Sequence, residues 1–270
     1  MSDAQMRTWA EIDLGRLKHN YTALREQLAP GCRFVGVVKA NAYGHGAVPV
    51  AQKLEEWGAD YLAVACLEEA AELRQAGVRA PILILGVTLP RYAGELLAWD
   101  AAQAVGDLET GRALSAAAVA AGRTLTIHVK ADTGMSRLGF LCDEAHLDHA
   151  AEEIAALCAL PGLRAEGIFT HFSDADGCEA YTMRQFTRFL DLLDKLSARG
   201  VTFEIRHCAA SAAMLNYPCT HLDMVRPGIA LYGHYPAPGM EYTCPLLPVM
   251  TLKTRVAAVR DLPAGTCVSY

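Results

Sequence analysis

Apolar residues follow two alternating rhythms along most of this chain. Residues 8–13 alternate apolar and polar side chains, which predicts a short strand. Over 16–28, Leu17, Tyr21, Leu24 and Leu28 share one helical face, and Pro30 and Gly31 end that helix. The β-branched run that starts at Val35 predicts a buried strand stopping at Lys39. Further strands are expected at 61–65, 81–85, 101–105, 124–130, 165–171, 203–208 and 224–226. Helices are expected between them at 48–57, 67–76, 109–121, 145–160, 182–199 and 211–217. Thr182 and Gln185 have the spacing of a capping box, with Phe186, Phe189, Leu190, Leu193 and Leu196 as that helix's buried stripe.

Eight strands separated mostly by helices favour a parallel α/β sheet closed into a (β/α)8 TIM barrel. An open doubly wound sheet is the alternative, but the sequence has neither a G-x-G-x-x-G fingerprint nor a Walker A loop to motivate it. The pattern changes after Gly233. Pro236, Pro238, Pro245 and Pro248 suggest a linker over 234–248. Residues 250–260 then alternate like a strand, 262–265 form a turn, and 266–270 begin another strand. The expected organisation is an N-terminal strand over 1–13, a barrel over 14–240, and over 241–270 a linker leading into a β domain that is cut short.

Composition narrows the function. At 270 residues, 52% of them apolar and 20% charged, the chain is globular and long enough for one barrel. A net charge of -6 gives no reason to expect nucleic acid or an anionic membrane as partner. There is no signal-peptide pattern and no apolar run of membrane-spanning length. Nine scattered cysteines without a C-x-x-C pair read as free thiols in a cytoplasmic protein.

The candidate chemistry gathers at predicted strand ends, where barrel enzymes place catalytic groups. Lys39 ends a buried strand, and a desolvated lysine loses its proton readily, acting as a base or condensing with an aldehyde. Tyr43 follows in a loop with Gly44 and Gly46. Lys130 ends the fifth strand ahead of Asp132, Ser136 and Arg137. His171 ends the sixth, His207 lies in the seventh with Ser211 beyond, and Arg226 ends the eighth before Gly228 and Ile229. The loops after strands seven and eight of such barrels often hold a phosphate, and Ser211, Gly228 and Ile229 stand there. Alone, each of these is as readily a rim residue, a helix cap or a packed core polar group.

Five strings occur in order: KANAYGHG from Lys39, KADTGMSRLGF from Lys130, THF from Thr170, RPGIALYG from Arg226 and VSY ending at Tyr270. Together they resemble alanine racemases. The resemblance covers essentially the whole chain. It implies a (β/α)8 barrel binding pyridoxal 5'-phosphate, joined to a C-terminal β domain that also takes in the N-terminal strand, usually in a homodimer. It implies that Lys39 holds the cofactor as a Schiff base and is one proton-transfer base, with Tyr270 the second base on the opposite face of the substrate α-carbon. Tyr43, Ser211, Gly228 and Ile229 would bind the phosphate, and Arg226 the pyridine nitrogen. His171 would bridge Arg226 and Tyr270. Arg137 would meet the cofactor oxygen and the substrate carboxylate, oriented by Lys130, a carbamate in some members. The family context is D-alanine supply for bacterial cell-wall peptidoglycan. The chain departs from the family pattern in two places. Ala210 stands where an asparagine is usual, and the chain ends at Tyr270, so the residues that complete a partner's substrate entrance are not in it.

Three other readings remain at this stage. One is a racemase of serine or another small amino acid. Another is a pyridoxal phosphate-binding barrel without turnover. The last is a metal-dependent hydrolase using His171, His207 and Asp132, although no H-x-H pair opens the chain and its histidines lie on separate strands.

Overall fold

The structure, a computed structural model, describes residues 7–240 and 244–270, so 1–6 of the expected N-terminal segment and 241–243 of the expected linker lie outside the described residues. Its elements in order are β1 (Thr8–Ile12), α1 (Leu14–Arg25), β2 (Arg33–Val37), α2 (Lys39–Tyr43), α3 (Ala47–Glu56), β3 (Tyr61–Val64), α4 (Leu67–Gln75) and β4 (Ile82–Ile84). There follow α5 (Ala93–Ala98), β5 (Ala101–Val105), α6 (Leu108–Ala120), β6 (Leu125–Asp132), β7 (Phe140–Leu141), α7 (Leu147–Cys158) and β8 (Leu163–Phe169). The last are α8 (Glu179–Ser197), β9 (Ile205–His207), α9 (Ser211–Asn216), β10 (Met224–Val225) and β11 (Met250–Thr254).

The parallel strands run in the order β10-β2-β3-β4-β5-β6-β8-β9. The two ends of that path meet. Asp223 N–H donates to Arg206 O (3.0 Å) and Arg226 N–H to Ala209 O (2.9 Å), which closes the (β/α)8 barrel. Alternation along the strands sorts side chains into two layers. Val35, Val37, Ala63, Leu83, Ala102, Ile205 and Met224 form a cluster of their own, while Phe34, Leu62, Ile82 and Ile84 pack in the larger core with the helices. Leu17 and Leu24 of α1 are fully buried in that core, each worth about 1.5–3 kcal/mol.

Two element boundaries differ from expectation for a physical reason. Helix α1 begins at Leu14 because the Asp13 carboxylate accepts Arg16 N–H (3.0 Å) and caps it. Helix α8 begins at Glu179, and the capping box does not form. Thr182 and Gln185 are buried inside it, where Thr182 Oγ1 donates to Cys178 O (2.9 Å) and Gln185 Oε1 accepts Ser173 N–H (2.9 Å). They tie the loop after β8 to the helix instead.

Strands β1 and β11 pair antiparallel, Thr8 opposite Thr254 and Ile12 opposite Met250. A two-stranded ribbon is weak alone. This one is tethered to α1 by Asn20, wholly buried, which bonds Leu247 at both N–H (2.7 Å) and O (2.8 Å). The turn expected at 262–265 is present, with Thr266 N–H donating to Pro263 O (3.2 Å). The strand expected at 266–270 is not. Among the described residues no segment lies beside it to complete a ladder, and an extended chain without partners is not a strand.

Candidate active site

A cavity of about 340 Å³ opens at the C-terminal ends of the barrel strands. Lys39, Tyr43, Lys130, Arg137 and His171 line it together with Ser211, Arg226, Gly228 and Ile229. Nine of the ten residues singled out from sequence therefore face one space.

Lys39 is mounted on a strained turn. Ala40, Asn41, Ala42 and Tyr43 all have φ between 52° and 54°, so α2 is a single left-handed turn. L-residues pay roughly 1–2 kcal/mol each for that conformation. Neighbouring groups hold it. The Glu69 carboxylate accepts Ala40 N–H and Ala65 N–H (both 2.7 Å), and Asn41 Oδ1 accepts Ala47 N–H (2.8 Å). The turn leaves Lys39 half-buried, with no hydrogen-bond partner for its amine among the described residues. Burial and the nearby Arg137 and Arg226 lower the Lys39 pKa, and Glu69 only partly opposes them.

Ser211, Gly228 and Tyr43 form a small cup in the cavity wall. Ser211 Oγ is buried and accepts Gly228 N–H (3.0 Å) and Ala230 N–H (3.2 Å). A Cβ on Gly228 would lie 2.4 Å from the Tyr43 hydroxyl, so only glycine lets that hydroxyl approach the backbone here. Ala210, the departure noted from sequence, caps α9 without a side-chain bond.

Arg226, 3% exposed, organises the floor. Nη1 donates to His207 Nδ1 (2.9 Å), and Nη2 donates to Thr170 O (2.8 Å), Cys208 O (3.1 Å) and His171 Nδ1 (3.3 Å). Nε–H makes no bond among the described residues. Burial lowers the guanidinium pKa to about 10, still cationic at neutral pH. Burial, and then Arg226 and Lys130, push His171 down to about 3, so it is a neutral ring. Because its Nδ1 accepts from Arg226, its proton sits on Nε2. Lys130 Nζ donates to Ala131 O (2.8 Å), and burial lowers it to about 8 despite Asp132. Lys130 and Arg226 both stand over the Phe169 ring, 5.5 and 5.2 Å from its centroid.

Arg137 has no partner for its guanidinium among the described residues. The loop that carries it is wound around Asp132, whose Oδ1 accepts the N–H groups of Gly134 (3.0 Å), Met135 (2.9 Å) and Ser136 (3.0 Å). Asp132 is thus a loop organiser. His207 has both ring nitrogens engaged, with Arg226 and with His128. Neither is placed as a metal ligand, and no group of three or more His, Cys, Asp or Glu converges as metal ligands among the described residues.

Tyr270 is the exception. It is wholly exposed and does not line the cavity of its own chain. Sequence reasoning missed Glu69, His128 and Glu166, and it gave Gln185 a capping role in place of its bond to Ser173 N–H. No local spacing marks the first three, because each acts on a residue distant in sequence.

The donor set suits pyridoxal phosphate. It offers hydroxyls and a glycine-lined cup for an anion, an unpartnered amine for an aldehyde, a free guanidinium N–H for the ring nitrogen, and Arg137 for a further oxygen.

Residues 12–236 match the family described as alanine racemase, N-terminal domain. The chain is 47% identical over 264 residues to alanine racemase of Desulforamulus reducens, covering 97% of this chain and 70% of that protein. It is 45% identical over 267 residues to alanine racemase of Desulfovibrio desulfuricans, with the same coverage of 97% and 70%. Among solved structures it is similar to alanine racemase of Clostridium difficile 630 in complex with cycloserine. There the TM-score is 0.91 at 39% identity, over 95% of this chain and 70% of that one. It is also similar to the enzyme of Streptomyces lavendulae, with TM-score 0.91 and 40% identity over 98% and 69%.

Proposed function

The chain belongs to the alanine racemase family, and from that premise we propose that it binds pyridoxal 5'-phosphate in the strand-end cavity and moves protons with Lys39 and Tyr270. The reaction is an isomerisation, the interconversion of L- and D-alanine. One observation carries the site assignment: the depressed, unpartnered amine of Lys39 shares a cavity with the Tyr43–Ser211–Gly228 cup and Arg226.

When bound, the cofactor supplies an aldehyde that captures amines and a conjugated ring that takes up the electron pair of a broken Cα–H bond. The residues do the rest. Tyr43, Ser211, Gly228 and Ile229 hold the phosphate. Arg226 would present a permanent N–H to the ring nitrogen and so favour its unprotonated form, which would restrain the ring as an electron sink. Arg137 would orient the substrate carboxylate and would itself be oriented by Lys130, whose amine donates to Ala131 O. Lys39 Nζ takes or returns the α-proton on one face, as its lowered pKa suits. The second face needs another base. Tyr270 lies outside its own cavity, so we assign it to the site of a second copy in a homodimer.

The β1–β11 ribbon is read as the start of a domain distinct from the barrel. Nine free cysteines favour a reducing, cytoplasmic setting. D-alanine made there would enter peptidoglycan precursor synthesis. Among the described residues, no helix is long and apolar enough to cross a membrane.

The test is L-alanine with cofactor in deuterium oxide. D-alanine carrying one deuterium at Cα, absent in Lys39→Ala, is the expected result. Cofactor binding with the Cα–H bond left intact would instead make the chain a carrier.

A further inference from the structure

We infer that Glu166 is a positioning residue for Arg226, acting from the opposite end of the barrel through two buried histidines whose tautomers it fixes. The inference rests on the reading of Arg226 as the ring-nitrogen contact. An unbroken hydrogen-bonded line runs through the barrel interior. Arg226 Nη1 donates to His207 Nδ1 (2.9 Å), His207 Nε2 meets His128 Nδ1 (2.9 Å), and His128 Nε2 meets Glu166 Oε2 (3.1 Å). Tyr61 Oη donates to that same carboxylate oxygen, and Arg164 holds the other (2.8 Å). Tyr61 and Glu166 border a second cavity of about 370 Å³, at the strands' N-terminal ends. The line therefore joins the two mouths of the barrel.

Its direction is fixed from both ends. Arg226 has only donors, so His207 Nδ1 must be a lone pair and the His207 proton sits on Nε2. That proton points at His128 Nδ1, which must accept. His128 then carries its proton on Nε2 and gives it to a carboxylate that can only accept. Both histidines are 0% exposed, so no water can repair a mismatch. Burial lowers both histidine pKa values, which keeps the rings neutral. Burial pushes Glu166 up, but the bonds from His128 and Tyr61 and the charge of Arg164 outweigh it and hold the carboxyl at about 2.

An apolar core could fill this space at lower desolvation penalty, as Val35, Val37 and Leu83 do nearby. What the polar line adds is an obligatory acceptor facing Arg226. Without the carboxylate only Arg226 opposes reversal, and the line populates the reversed direction as well. His207 would then turn an N–H toward an N–H of Arg226, and the guanidinium would shift or lose a bond.

The test uses the full chain labelled with ¹⁵N-histidine, read by long-range proton–nitrogen correlation at neutral pH. His128 and His207 should each appear as one neutral tautomer protonated on Nε2. A charged ring, or a proton on His207 Nδ1, overturns the inference without any variant. In Glu166→Gln the single His207 tautomer should be lost and kcat should fall about tenfold, the worth of one hydrogen bond to a charged group. Tyr61→Phe keeps the carboxylate and should leave the tautomers unchanged. Unchanged tautomers in Glu166→Gln, or altered tautomers with unchanged kcat, would also overturn it. The tautomer readout needs neither cofactor nor turnover, so failure of the racemase reading would show separately, as a wild-type chain without activity.

Discussion

Gly228 carries no functional group, yet its missing side chain shapes the cup. A methyl placed there would meet the Tyr43 hydroxyl at 2.4 Å, well inside van der Waals contact. Gly228→Ala should therefore displace Tyr43 and weaken cofactor binding about tenfold or more, the equivalent of one lost hydrogen bond to a charged group. Titration of the cofactor's absorbance checks this, with the barrel's thermal stability expected to change little. His171 gives a pH prediction. An unfolded histidine takes up its proton near pH 6.5, but in the fold His171 resists until about pH 3. Between those values the unfolded chain binds more protons, so stability is full above 6.5 and is lost as pH falls toward 3. His128 and His207 are lowered for the same first reason, burial, and add in the same direction. Urea midpoints measured from about pH 7 down to about pH 4 should fall, with up to about 1.4 kcal/mol per pH unit for each histidine. A flat profile would mean that these rings are charged or exposed.

Among the elements, α2 is the one that propensity does not foresee. Nothing in KANAY calls for four consecutive residues at positive φ, and only Asn41 is a residue type that tolerates it well. The turn exists because Glu69, two helices away in α4, supplies one carboxylate to the N–H groups of both Ala40 and Ala65. Glu69→Ala should relax the turn and destabilise the fold by about 1–3 kcal/mol, measured by urea denaturation, because two amides lose their acceptor. It should also slow attachment of cofactor at Lys39. The barrel strands and most helices were legible, since periods of 2 and 3.6 report burial directly. Helix α8 shows the limit. Thr182 and Gln185 have capping-box spacing, yet they serve the loop after β8, because a spacing rule cannot tell a helix start from a buried polar face. The alternation over 250–260 was legible too, but the ladder extends only over Met250–Thr254, where β1 provides a partner.

For the whole molecule, the site's members were legible as strand ends, and the fold brings nine of the ten to one cavity. What joins them was not legible. Glu166 lies 38 residues from His128 and 105 from Tyr61, and His128 lies 79 from His207, so only barrel closure makes them neighbours. Tyr270 belongs to this scale as well. Its full exposure fits a base that serves a second copy. Mixing Lys39→Ala chains with Tyr270→Phe chains should restore activity that neither has alone, because one site of the mixed pair then holds both bases. If Tyr270 acts within its own chain, the mixture stays inactive. The central claim is that Lys39 anchors pyridoxal phosphate in the strand-end cavity. Borohydride reduction of the protein incubated with the cofactor, followed by peptide mass mapping, tests it most directly. A phosphopyridoxyl adduct confined to Lys39 is the predicted result, while labelling of another lysine, or of none in a folded barrel, would contradict it.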